Sequence, residues 1–377
     1  MSEEQCPVFR LDAVILEKRK NNEEYPPALS AAEKLMNAIQ SFEQGKIIMS
    51  KYTQHQNVAN SIAGPIGALE AITDALLRDP RSFYLEGQKD LEGLQKVLMF
   101  EQQVRDCASS EIPVLEMIKD YQKRLQNHGW EDVQPAIDVS IRASFLVGLL
   151  TFGVLGKAKD ALTHFRRSVD IIVAANAELE PTADAKTRGP ALKESFLRAC
   201  RQTLMNAIML GYATTSDSKS FSLDDILAEA DAILTSIEKD TEVSEPKDKL
   251  AFNTYLAAHA RMARGFVYRE RGEVNGVFNQ ELCNKAAQEF KIAAELYPED
   301  ESDRSLAAYK SIEASLRAGN HTVGELLSLL KIATDANTMA TPVFGAISEH
   351  VPAKATAEKV LSQYSAADAD KCLSPLA

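Results

Sequence analysis

Residues 261–298 read RMARGFVYRERGEVNGVFNQELCNKAAQEFKIAAELYP, and the small and aromatic residues in this stretch decide the fold class. Gly265-x-x-Tyr268 removes the side chain from one point of a helix face, so a second helix can pack close to it. In the following helix Ala286, Phe290 and Ala293 set a small, a large and a small residue on one face, and Pro298 ends the run.

Working outward, helical periodicity appears almost everywhere and strand alternation almost nowhere. Ile226, Leu227, Ala230, Ile233, Leu234 and Ile237 form a clean apolar stripe. Ser222 precedes that stripe with Asp225 three residues on, an acidic variant of the capping box. Further helices are predicted near residues 29–44, 66–78, 85–107, 112–127, 133–154, 158–177, 190–212, 249–271, 283–297, 302–318, 323–334 and 353–364. Pro80, Pro113, Pro135, Pro181, Pro190, Pro246 and Pro298 are expected at the gaps between them. The absence of a β-rich segment argues against an α/β fold with a cofactor-binding sheet, and the expected class is all-α.

Gly265, Tyr268, Ala286, Phe290, Ala293 and Pro298 fall in the order of a tetratricopeptide repeat, and the segment resembles that family. It departs from the motif at Arg261 and Arg264, which stand at the tryptophan and leucine positions. The gap from Gly265 to Ala286 is also about nine residues longer than usual, which points to extended helices or a turn inserted over residues 271–280. A fainter copy ends in Ala161-Leu-Thr-His-Phe165 and Ser168, with Gly156 at the turn before it. A third candidate has Ala308 at the small position and a second helix from Val323, without the Ala-x3-Phe element.

The resemblance implies antiparallel helical hairpins stacked as a right-handed superhelix that binds another protein or peptide. Residues 1–27 are expected as a poorly defined N-terminal segment and 28–130 as an N-terminal helical region. Residues 131–365 are expected as the repeats and 366–377 as a flexible C-terminal tail. In the family the first helix of each repeat lines the concave surface. That carries over to His259, Met262, Phe266, Arg269 and Glu270, with Tyr309 from the next repeat. Such a mixture suits a peptide carrying an apolar anchor and a carboxylate.

Composition narrows the partners. A net charge of −12 and a pI near 5.2 argue against a nucleic-acid footprint. The short basic run Lys18-Arg19-Lys20 is flanked by Glu17, Glu23 and Glu24 and is read as solvated surface. The most apolar run, Phe145 to Leu155, is too short to cross a bilayer and is expected as a buried helix, so no membrane partner is expected. Met1-Ser2-Glu3-Glu4 begins no secretory signal. Five widely spaced cysteines suit free thiols in a cytoplasmic or nuclear setting. Asn320-His321-Thr322 fits a glycosylation sequon, which is not expected to be used without a secretory route.

Signatures of catalysis are missing: no Gly-rich phosphate loop, nucleophile elbow or H-E-x-x-H is present. Gly153-Val-Leu-Gly156-Lys157 is too short for a phosphate loop and is read as a turn between helices. The six histidines include no pair at helical spacing, so no metal and no cofactor are expected. One acidic cluster, Asp224, Asp225 and Glu229, has a spacing that loosely resembles the aspartate-rich helix of class I terpene synthases, which holds magnesium. No second metal motif accompanies it. These carboxylates are expected to face solvent as favourable charges at a helix start. The expected function is therefore a non-catalytic binding scaffold. The alternative is an all-helical, magnesium-dependent, terpene cyclase-like enzyme with a central cavity.

Overall fold

The computed structural model describes residues 6–54, 62–179, 183–215, 217–241, 244–274, 277–319, 321–348 and 351–375. His55, Pro181, Asn320, His350 and the first four residues, each weighed above, lie outside them. In chain order the helices are α1 (Pro7–Lys20), α2 (Ala31–Met49), α3 (Ala68–Arg78), α4 (Gln88–Val104), α5 (Val114–His128), α6 (Trp130–Gly153), α7 (Ala158–Glu178), α8 (Ala185–Arg188), α9 (Glu194–Thr214), α10 (Leu223–Glu238), α11 (Pro246–Lys249), α12 (Tyr255–Gly272), α13 (Gln280–Leu296), α14 (Ser302–Ala318), α15 (Val323–Phe344) and α16 (Pro352–Leu361). The only ladders among the described residues are two pairs of two-residue strands: β1 (Thr53–Gln54) with β2 (Ile62–Ala63), and β3 (Glu273–Val274) with β4 (Val277–Phe278). The protein is all-α.

The chain divides into two compact units, one comprising Met1–Met36 with Ser222–Ala377 and the other Asn37–Phe221. The boundary expected after residue 130 falls at the first residue of α6, inside the second unit. The N-terminal segment expected to be undefined contains α1, whose Lys18, Arg19 and Lys20 complement the negative end of the helix dipole.

In the first unit α12, α13 and α14 each pack closely against the next helix in sequence, α15 packs chiefly against α14, and α10 lies against α12. A single turn of π-helix, Leu250–Thr254, joins α11 to α12 without a break. Ser222 caps α10 by accepting from the Asp225 amide at 3.0 Å, as its position predicts. The close approach of α12 and α13 has the expected cause. Phe290 is fully buried, and a Cβ built at Gly265 would lie 2.6 Å from its ring. Tyr268 and Met262 complete the surroundings of Phe290 with Ala286, Ala287 and Ala314. The β3–β4 ladder occupies the stretch where an inserted turn is expected.

The departures at Arg261 and Arg264 are explained by charge. Arg261 pairs with Glu289 of α13 at 3.0 Å, and Arg264 reaches both Glu289 at 3.1 Å and Asp231 of α10 at 3.3 Å. Two guanidiniums thus span three helices where an apolar pair would sit in the motif. The C-terminal stretch, expected as a loose tail, lies across the start of α15. There the Val323 and Gly324 amides donate to the carbonyls of Lys371 and Ala369, each at 2.9 Å.

The second unit is built around α6, whose buried face runs from Val133 to Thr151. By length and composition α6 is the one described helix apolar enough to cross a membrane, yet two thirds of its most apolar window is buried within the protein. A second close approach joins α6 and α7. A Cβ at Gly148 would meet the Phe165 ring of α7 at 2.7 Å, whereas Gly156, with φ +65°, forms the turn. Pro135 lies inside α6 rather than at a boundary, and Pro342 lies inside α15. All five cysteines are free thiols.

Phe290→Ala should destabilise the first unit by about 3–5 kcal/mol, the cost of emptying a large aromatic site. Gly265→Ala should cost about 1–3 kcal/mol through overpacking against the same ring. Chemical denaturation of both variants measures this, and the double variant should cost less than the two effects added, because each relieves the other.

Candidate functional site

A cavity of about 290 Å³ opens in the second unit where the start of α3, the end of α4 and one face of α6 meet. Gln134, Pro135, Asp138 and Val139 recur at the spacing of a single helix face and form one wall. Ile66 and Gly67 lead into α3, which supplies Glu70; α4 supplies Glu101, and Arg105 follows it. Pro190 closes the other side. Gly67 has φ +105°, a conformation that favours glycine and turns the chain into α3.

Glu101 fixes the start of α3. Its Oε1 accepts from the amides of Gly67 and Leu69 and from the Tyr52 hydroxyl, each at 3.1 Å. A buried carboxylate from another helix thus does the work of a local N-cap and suits the positive end of the dipole. Burial, helped by the charge of Glu101 and by this bond, pushes the Tyr52 phenol far above its usual range.

Behind the cavity wall lies Arg142, whose side chain is 0% exposed. Its Nε donates to Asp138 Oδ2 at 2.7 Å, and its Nη1 donates to Asp74 Oδ1 at 2.6 Å and to Thr73 Oγ1 at 2.7 Å. The guanidinium also stacks over the Phe196 ring, 4.9 Å from its centre. Nη2 has no hydrogen-bond partner and lies 4.0 Å from Oε1 of Glu70. Asp138 Oδ1 is buried too, and the Ala191 amide helps to favour the charged Asp138 carboxyl. Burial works against the charge on Arg142, and Asp138 and Asp74 more than restore it. Burial pushes the Asp138 and Glu70 carboxyls above their ordinary range even though Arg142 pulls both down. The recess is lined by three carboxylates, one guanidinium and several apolar side chains.

The residues expected to line a peptide groove lie elsewhere, in the first unit. They do not form an open row. Phe266 and Tyr309 are buried in the helix array, while His259, Met262, Arg269 and Glu270 are half-buried. His259 Nδ1 and the buried Tyr297 hydroxyl are hydrogen-bonded at 3.0 Å. Met262 packs against the clusters around Phe290 and Tyr309. Arg269 lies over the Phe266 ring and pairs with Glu270. Tyr309 donates to Glu358 at 3.3 Å.

In the acidic cluster, Asp224 is exposed and paired with Arg271, while Asp225 and Glu229 are half-buried rather than fully facing solvent. Among the described residues no group of three or more histidine, cysteine or carboxylate side chains converges on a point that would hold a metal ion. No protein-family model, curated protein or solved structure matches the chain.

Sequence reasoning missed the cavity and its buried arginine. One signal was present: Asp138 and Arg142 are the only charged residues between Val133 and Leu155, one helical turn apart in an otherwise apolar run. Buried charges occur in such a run when they are paired.

Arg142→Met should destabilise the protein by about 3–5 kcal/mol, because it leaves Asp138 charged and unpaired. A carboxyl whose folded pKa lies above its unfolded one loses stability as pH rises through that folded value, so acidification should shrink the deficit. Adding Asp138→Leu should recover part of it at neutral pH. Urea melts of the single and double variants at pH 5 and pH 7.5 test both statements.

Proposed function

We propose that this chain is a non-catalytic scaffold that binds another protein or a peptide through the helix array of its first unit. The supporting observation is the order of packing: α10, α12, α13, α14 and α15 form a series in which each member contacts chiefly its neighbours. Stacks of this kind present extended surfaces and are typical of binding modules. On this proposal α12 and α13 are one tetratricopeptide-like hairpin of a right-handed superhelix, lengthened by the β3–β4 turn and clamped by Arg261, Arg264 and Glu289. The protein would work in the cytoplasm or nucleus.

The recognition surface is the half-buried part of the α12 row: His259, Met262, Arg269 and Glu270. With Phe266 committed to the core, the apolar contact falls to Met262, whose flexible thioether adapts to different side chains. Arg269 supplies the charge for a ligand carboxylate, releasing Glu270 as it binds.

Selection of displayed random peptides on the purified protein tests the proposal. The enriched sequences should share an acidic residue close to one apolar residue. Arg269→Ala should weaken them by about ten- to a hundredfold, as expected for losing the 1.5–3 kcal/mol of a hydrogen bond to a charged group. Selections that yield no shared pattern, or peptides that bind the variant equally well, would discard it.

A further inference from the structure

The start of α15 in the first unit is completed by a segment that follows α16 in the chain. Helix starts leave amides without an intrahelical acceptor. Thr322 caps the Glu325 amide of α15 at 3.3 Å, and the Val323 and Gly324 amides donate instead to the carbonyls of Lys371 and Ala369. The Leu373 amide donates to the His321 carbonyl at 3.3 Å, and Thr322 and Cys372 form an antiparallel bridge. Residues 369–373 are thus held along the helix start by their main chain. Two glycines make room for the segment. A Cβ built at Gly324 would lie 3.2 Å from that of Ala369, and one at Gly319, where α14 ends with φ +74°, would collide with the Pro375 ring. Between Ala369 and Pro375, Leu373 packs against the apolar cluster that contains Leu326 and Leu329. No residue from 362 to 375 is fully buried, and Asp370, Lys371, Cys372 and Ser374 are exposed.

We propose that this corner between α14 and α15 is a docking site for an extended segment of a partner protein with the pattern Ala-x3-Leu-x-Pro, and that residues 369–375 occupy it as a replaceable ligand. Main-chain bonds give such a site affinity for an extended segment, and the side chains that fit against its surface select the sequence. Here the selecting side chains are Ala369 and Pro375, each set against a glycine, and Leu373 on the apolar cluster. Lys371 lies over the Tyr364 ring, which belongs to the same segment and not to the site. A stretch held without a fully buried residue opens more readily than the core that it covers. None of these residues belongs to the α12 row, so the site stands independently of that proposed surface.

Fluorescence anisotropy of a labelled peptide of residues 365–375, carrying Cys372→Ser to prevent disulfides, tests the site. In the full chain, Leu373→Asp sets a charge against the apolar cluster and should release the segment. The peptide should bind that chain saturably and about tenfold or more tightly than the unaltered chain, where the tethered segment competes. Leu373→Asp in the peptide, or Gly324→Gln added to the chain, should each weaken binding about tenfold or more. A second peptide that also carries Asp370→Ser and Lys371→Ser should bind as tightly as the first, which defines Ala-x3-Leu-x-Pro as the pattern a partner must present. No saturable binding by the folded Leu373→Asp chain would overturn the proposal, as would affinity unchanged by Leu373→Asp in the peptide, or a second peptide that does not bind. Hydrogen exchange on the unaltered chain needs no variant to fold. The Val323 and Gly324 amides should exchange by local opening, ahead of those of Leu329 and Ala333, and exchange of all four only on global unfolding would overturn the proposal as well.

Discussion

Helix starts leave amide groups that must find acceptors, and in this protein the acceptors that matter come from far along the chain. The amides of Ala31 and Ala32 at the start of α2 donate to the two oxygens of Asp300, at 2.8 and 3.0 Å. Burial pushes that carboxyl up while the two amides pull it down. With the packing of α1 on α15, this pair of bonds ties the first 36 residues to residues 222–377 in one unit. Lys34, over the Tyr255 ring at 4.1 Å, lies one turn further on and seals the same junction. In the second unit Glu101 performs the equivalent service for α3, and the shape of the cavity follows from it.

A second recurring device is the notch. Gly265 receives Phe290, Gly148 receives Phe165, and Gly211 lies against Phe221 in the same manner. The first pair was legible in the sequence because Gly265, Tyr268 and Phe290 sit in a known order with helical spacing. The second was half legible: Ala161 and Phe165 stood out and Gly156 was placed at the turn, but Gly148 is hidden in a uniformly apolar helix. Helix class and most helix positions were legible because apolar periodicity reports directly on burial. The proline inside α6 was not, since a proline near a helix start and one inside it look alike in sequence. Helix α1 was missed because its charged residues dominate a short stripe that is buried at Val8 and Leu11.

Sites made by charges converging from separate helices leave the weakest trace in a sequence. Glu70, Asp74, Glu101, Asp138 and Arg142 come from three helices, and no spacing along the chain relates one helix's residues to another's. Only the Asp138–Arg142 pair, within a single helix, was visible. The α12 row shows the opposite difficulty. Its residues share one helix face, as counted, but α13 and α14 cover part of that face, so Phe266 became core and Arg269 stayed at the surface. A face is a property of one helix; exposure depends on its neighbours.

The pairing of Ala31 with Asp300 also orders events on the ribosome. The two residues are 269 positions apart, so at roughly 5–20 residues per second α2 waits on the order of 10 to 50 s for its acceptor to be synthesised. Residues 37–221 emerge entirely within that interval and can complete their own core first. The chain is thus nested in time as well as in sequence: the inserted unit is finished while the one it interrupts is still half made. During that interval the start of α2 depends on local capping alone, through the Ser30 hydroxyl and the Glu33 amide.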